Sequence, residues 1–167
     1  MSFILNRTSI REFKDTMIEP EKITELLKAA MQAPSSKNQQ PWEFIVIDDK
    51  SILLELSKTS SGSWPLSTAT CAIIPMLMPS ELAPHFCVQD LSAATENILL
   101  EATNLGLGGV WIGIYPLEDR LAHVEKTLNI SGETHPFSII ALGYPLKEKA
   151  VTPRYDTQRV HFNKWGE

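Results

Sequence analysis

Cysteine is scarce in this chain: Cys71 and Cys87 are the only two in 167 residues. Two thiols make neither a disulfide framework nor a cysteine-rich metal site. The four histidines, His85, His123, His135 and His161, fall into no HxxxH or HExxH pattern, so no metal is expected. Long apolar runs are missing too. CAIIPMLMP is the longest, far below spanning length and broken by prolines, which argues against a membrane protein. The opening stretch, MSFILNRTSIREF, turns polar too early for a secretory leader, and a cytoplasmic protein is the expectation. There is no basic excess either: a net charge of -5 speaks against nucleic acid and anionic lipid as partners.

What is present is an ordinary globular composition, 43% hydrophobic and 21% charged, in a length that suits one domain over residues 1–167. No internal repeat or low-complexity tract interrupts it. Ile23, Leu26, Leu27, Ala30 and Met31 fall on one helical face, begun by Pro20 and ended before Pro34. Trp42 to Ile47 reads as a strand and SILLELSK as a short helix. ATCAIIPML reads as a second strand in which Pro75 suggests an edge or a bulge. The strongest helix follows, from about Val88 to Leu105, with Gly106 as its stop. VWIGI is a third strand, LEDRLAHVEKTLN a third long helix and FSIIALGYP a fourth strand. From Lys147 onward the chain is polar, extended in character and rich in Arg, Tyr, His and Trp.

Three stretches carry chemistry. In RTSIREF an extended backbone places Arg7, Ser9 and Arg11 on one side, where two guanidinium groups and a hydroxyl suit an oxyanion or phosphate; a solvated strand edge is the plainer reading. APSSKNQQPW, Ala33 to Trp42, packs hydroxyls and amides between two prolines, more polar chemistry than a helix-to-strand connection needs. Its Asn and Gln side chains can meet the alternating C=O and N–H edge of a heterocycle, or simply make a polar loop. GLGGVWIG holds four glycines in eight residues, which permits close approach of a flat ligand or of another helix, but lacks the spacing of a dinucleotide or phosphate-loop fingerprint. Cys87 beside His85 is read as buried packing rather than a nucleophile, and the four tryptophans as core or interface.

Taken in order, RTSIREF, APSSKNQQPW, DLSAATENILLEATNLGLGGVWIG and PFSIIALGYP followed by PRY resemble the FMN-dependent nitroreductase family. The resemblance runs from Arg7 to Arg154. It implies an α+β, three-layer fold, a central mainly antiparallel sheet flanked by helices, and an intertwined homodimer in which residues 147–167 form an arm onto the partner. It also implies FMN held non-covalently at the subunit interface. By resemblance, Arg7, Thr8, Ser9 and Arg11 match the N-terminal flavin segment. Pro34, Ser35, Ser36, Asn38 and Gln40 match the loop that the partner turns toward the ring. Trp111, Ile112 and Gly113 match the stretch near the reactive nitrogen, and Arg154 the late basic residue on the phosphate. Departures are Thr8, where Arg is common, Lys37, where a small residue is frequent, and Gly113-Ile114, where Glu-Gly can stand. The implied reaction has NADH or NADPH reduce the flavin and leave, after which a small-molecule acceptor such as a nitroaromatic or quinone takes its place. No catalytic side chain is required. A protein that only holds or senses FMN is the alternative.

Overall fold

The computed structural model describes residues 3–166; residues 1, 2 and 167, the last being the tip of the expected arm, lie outside that description. The first element is one helical turn, α1 (Phe3–Asn6), which the sequence pattern does not mark. Next, α2 (Pro20–Met31) starts with proline at the position where a missing N–H costs nothing, and buries Leu26 and Ala30. β1 (Trp42–Ile47) leads to α3 (Lys50–Leu56), whose N-terminus is capped by Asp49 through the Ser51 and Ile52 N–H groups. The Ser51 hydroxyl, and then those two backbone bonds, hold the Asp49 carboxyl below its ordinary range. Then come β2 (Cys71–Leu77), α4 (Cys87–Asn104), β3 (Gly108–Gly113), α5 (Glu118–Leu128), the two-residue β4 (His135–Pro136) and β5 (Ser138–Gly143).

The strands form one antiparallel sheet in the order β1-β2-β5-β3, with β4 added to β2. Its two faces are distinct. Cys71, Ile73, Ile140 and Leu142 pack with Leu26 and Ala30 of α2 and with Leu91, Ile98 and Ala102 of α4. The alternate residues Ala72, Ile74, Ile139 and Ala141 pack with Leu53 and Leu56 of α3 and Val124 of α5. Strand residues of period two thus feed two cores, which is why β2 and β5 are buried almost throughout and read as continuous apolar runs. The three-layer α+β expectation holds.

Pro75, expected at an edge or a bulge, is at a bulge. It lies inside the sheet, opposite Phe44 of β1, rather than at an edge. On its other side Ile73 pairs with Ile140 but Met76 pairs with Pro136, so three steps along β2 span four along the partner. That extra residue is a bulge at the β4–β5 junction, where Phe137 N–H donates to the Pro75 carbonyl at 2.9 Å and no ladder donor is needed from Pro75.

The N-terminal segment closes the fold. Ser9 forms a parallel bridge with Gly109, Ile10 N–H donates to the Gly109 carbonyl at 3.0 Å, and Phe13 bridges Pro145. Two glycines make this possible: a Cβ on Gly108 would lie 2.7 Å from Ile10 Cβ, and one on Gly143 would lie 2.9 Å from Phe13 Cβ. A Cβ on Gly109 would meet Leu99 of α4 at 2.9 Å, so this pair of glycines admits protein rather than ligand. We expect Gly108→Ala to destabilise the fold by roughly 1 to 3 kcal/mol through overpacking against Ile10. Gly113→Ala, with no atom within 4 Å of its Cβ, is the control. Urea denaturation of both variants decides it: equal midpoints would mean the segment is not held by this contact.

Candidate functional site

The docked N-terminal segment and the chain after β5 enclose a cavity of about 640 Å³. Arg7, Thr8, Ser9 and Arg11 line it from one side, and Lys149 and Arg154 from the other. Main-chain bonds hold the two walls together: Lys14 N–H donates to the Tyr144 carbonyl at 2.8 Å and Leu146 N–H to the Glu12 carbonyl at 3.0 Å. Beneath them Tyr144 Oη donates to the Glu19 carboxylate at 2.7 and 2.9 Å, and Lys22 Nζ donates to Tyr144 Oη at 2.6 Å. The tyrosine hydroxyl in particular keeps Glu19 below the usual carboxylate range and Lys22 above the usual lysine range.

Four cations line this cavity, and among the described residues no carboxylate does, in a chain of net charge -5. Arg7 Nε lies 3.3 Å from Glu96 Oε1 of α4, and Lys149 Nζ donates to the Ser9 carbonyl at 3.2 Å. Local excess of one sign with hydroxyls alongside is a site for an anion, and the planar guanidinium groups suit phosphate oxygens. Lys149 is a residue the sequence reading did not single out. Its only signal was a position five residues before Arg154 in a polar tail.

The other expected site residues lie elsewhere. Ser35 and Ser36 are partly exposed, while Pro34, Asn38 and Gln40 are exposed, on a loop that does not line this cavity. Asn38 and Gln40 reach each other, Gln40 Nε2 donating to Asn38 Oδ1 at 3.3 Å. Gln39 between them turns inward instead, to Ser80, Ala83 and the buried Asp90. Neither Gln39 nor Asp90 stood out in the sequence. On β3, Ile112 is buried and Trp111 packs edge-on against Phe137 at 5.7 Å between ring centroids. Gly113 is exposed with open space beside it, and its carbonyl accepts from Arg120 Nη1 at 2.6 Å. Of the four glycines in GLGGVWIG, Gly108 and Gly109 are closed by protein, Gly106 is an open left-handed turn after α4, and Gly113 is the open one within β3.

The thiols are inert packing. Burial, with the Asp48 charge adding to it, pushes Cys71 up to about 12, and burial also raises Cys87. Among the described residues no cluster of His, Cys, Asp or Glu could hold a metal ion, and no helix is long and apolar enough to cross a membrane.

An α+β sheet protein with a cationic cavity between its two chain ends is the class this geometry defines. The Nitroreductase family model matches residues 4–77 and 77–144, and the chain belongs to that family. It is 42% identical over 170 residues to an Archaeoglobus fulgidus protein provisionally named an NADH dehydrogenase/NAD(P)H nitroreductase, covering 99% of this chain and 98% of that one. A Bacillus subtilis FMN reductase (NADPH) is 28% identical, with 95% and 70% covered. Among solved structures, an FMN-dependent nitroreductase from Clostridium difficile R20291 superposes with a TM-score of 0.91 at 34% identity, covering 98% of this chain and 99% of that one.

A rise from an ordinary 9.0 to about 12 lowers the Cys71 thiolate population roughly a thousandfold. Native protein at pH 8 is accordingly expected to resist iodoacetamide at both cysteines, while urea-unfolded protein labels at both. Stoichiometric labelling of the native form would show that one thiol is open.

Proposed function

We propose that this protein is an FMN-dependent NAD(P)H oxidoreductase that passes two electrons to small acceptors such as nitroaromatics or quinones. The observation that carries this is the cavity in which Arg7, Arg11, Lys149 and Arg154 converge from opposite ends of an acidic chain. Family membership and the names of the similar proteins support the same reading. The residues fit the cofactor. Arg7 and Arg154 would hold the phosphate, with the Thr8 and Ser9 hydroxyls beside them. Arg11 would lie toward the pyrimidine end, where a positive charge favours the electron-rich form. Ser9 bridges Gly109, which lies four strand residues, roughly 13 Å, from the open Gly113, so an elongated ligand that starts at Ser9 would have the length to reach Gly113. When bound, FMN supplies hydride acceptance and donation. The chain itself binds, orients and shields, and no side chain on it has to exchange a proton.

One copy is incomplete in this reading. The loop carrying Pro34, Ser35, Ser36, Asn38 and Gln40 is away from the cavity, so it would serve the flavin of a second copy. Surface area supports a dimer. The chain exposes 10075 Å² at 18.7 kDa, whereas a compact monomer of that mass exposes roughly 8,300 Å². Phe162 and Trp165 in the arm are 73% and 90% exposed, and Ile4 and Leu5 of α1 also face solvent. Burial on a partner would recover roughly 1.5 to 3 kcal/mol per large side chain before entropy costs.

Purified protein is expected to be yellow, to release FMN on denaturation, and to oxidise NADH or NADPH when a nitroaromatic or quinone is supplied. Colourless protein that takes up no added FMN would overturn the reading. Arg7→Ala and Arg154→Ala should each weaken FMN binding by about 1.5 to 3 kcal/mol, the scale of a charge-assisted contact. Titration of FMN into each apo variant measures this, and parental affinity in both would remove the phosphate assignment. Truncation after Tyr155 should weaken both dimerisation and flavin retention. Sedimentation followed at protein and flavin wavelengths tests it, and a stable dimer with one FMN per chain would leave the arm without that role.

A further inference from the structure

Lys37, Asn38 and Gln40 all have left-handed backbone, with φ of 53°, 54° and 48°. Three such non-glycine residues within four positions persist only where surrounding contacts over-determine them. Those contacts converge on two side chains. Asp90, 5% exposed in the first turn of α4, accepts from Ser36 N–H at 2.9 Å and from Gln39 Nε2 at 2.6 Å. Gln39 fills its whole amide. Nε2 also donates to the Ala83 carbonyl at 3.0 Å, and Oε1 accepts from Ser80 Oγ at 2.7 Å and Ala83 N–H at 3.1 Å. The Ala83 N–H fixes which end of the amide is the acceptor, so the donor end must face Asp90. A carboxylate is the group that can accept on both oxygens at once, from the loop backbone and from the amide.

Asp90 forms no ion pair among the described residues. A buried carboxylate without a cation is costly, offset here by loop donors and by the positive end of an 18-residue helix. An apolar residue would fill the space at less expense, but could not hold the loop in a left-handed shape. The loop's outward side chains, Asn38 and Gln40, are exposed and among the described residues hydrogen-bond only each other, while the Gln40 main-chain N–H donates to the Ser35 hydroxyl at 3.0 Å. Their direction is therefore imposed from behind.

We propose that Asp90 and Gln39 are positioning residues for the cofactor: touching no ligand themselves, they lock the 34–40 loop so that Asn38 and Gln40 are presented in one arrangement to the flavin of a second copy. This rests on the flavin reading above, and the test separates the two. Asp90→Asn puts an amide donor against Gln39 Nε2 or against Ser36 N–H, and Gln39→Ala empties the clamp. Leu56→Ala, in the core on the opposite face of the sheet, serves as a variant that loses stability without touching the loop.

Two quantities are measured on each apo protein. One is tryptic cleavage after Lys37 relative to cleavage after Lys126; the other is FMN affinity by titration. Asp90→Asn and Gln39→Ala are expected to raise relative cleavage at Lys37 and to weaken FMN binding by about tenfold or more each, the scale of a lost hydrogen bond to a buried charge. Leu56→Ala should leave both within about threefold of the parent, as distant sites act independently. Loosened Lys37 with parental FMN affinity would overturn the proposal, reducing the pair to a structural brace. Unchanged cleavage and unchanged affinity would overturn it as well. A parent protein that binds no FMN would refute the flavin reading itself, and the Lys37 ratio would then still show whether Asp90 holds the loop.

Discussion

The contact on which the rest depends is the closure of the N-terminal segment onto two glycines of the sheet. Gly108 and Gly143 carry no side chain, so Ile10 and Phe13 can sit where a Cβ would otherwise be. Because Ile10 is anchored inward, Arg7, Ser9 and Arg11 are left facing the chain that leaves β5. Because Phe13 bridges Pro145, that departing chain is held alongside, with Lys149 and Arg154 across from the first set. A cavity between residues nearly 150 positions apart in sequence thus follows from the absence of two side chains.

Gathering four cations has an electrostatic consequence. Like charges repel, and at the surface this repulsion is mild but not zero. The fold relieves it only in part: Glu96 sits against one arginine and a backbone carbonyl accepts from Lys149, while Arg11 and Arg154 line the cavity with no ion pair among the described residues. An anion entering such a place gains attraction and also removes repulsion already present. The favourable field is therefore stored in the protein before any ligand arrives, which is the physical sense of preorganisation.

Much of this was legible in the sequence, and the exceptions have physical reasons. Periodicity located α2 and α4 within a residue or so, because each has one apolar stripe to bury. β1, β2, β3 and β5 were legible because β-branched and apolar residues cluster between turn formers. Pro75 left an edge and a bulge both open, since either removes the need for its missing N–H, and the bulge that decides between them belongs to the partner strand at Phe137. α1 and β4 were invisible because four and two residues are too few to show a period. For the site, the resemblance joined Arg7 and Arg154 at one phosphate where no local pattern could, and the fold puts both around one cavity. Lys149, Gln39 and Asp90 escaped for a different reason. An amide or a carboxylate has the same letter whether it faces solvent or a buried partner, and Gln39 differs from Gln40 only in which way the backbone turns it.

The two halves of the proposed site are built in opposite ways, and the difference matches what each half would do. The cationic half uses long, partly exposed side chains. Attraction between opposite charges falls off slowly with distance, so an arginine misplaced by an ångström still contributes most of its effect. Rigidity there gains little. The amide half would work through neutral hydrogen bonds, which weaken steeply when distance or angle drifts. Asn38 and Gln40 can act on a ring edge only if their backbone is fixed, and that is where the strained dihedrals, the fully bonded Gln39 and the buried carboxylate are concentrated. In the proposed site affinity would fall to a tolerant, loosely held surface and orientation to an intolerant, tightly held one, which would account for the costly burial of Asp90 lying behind the amides and not behind the arginines.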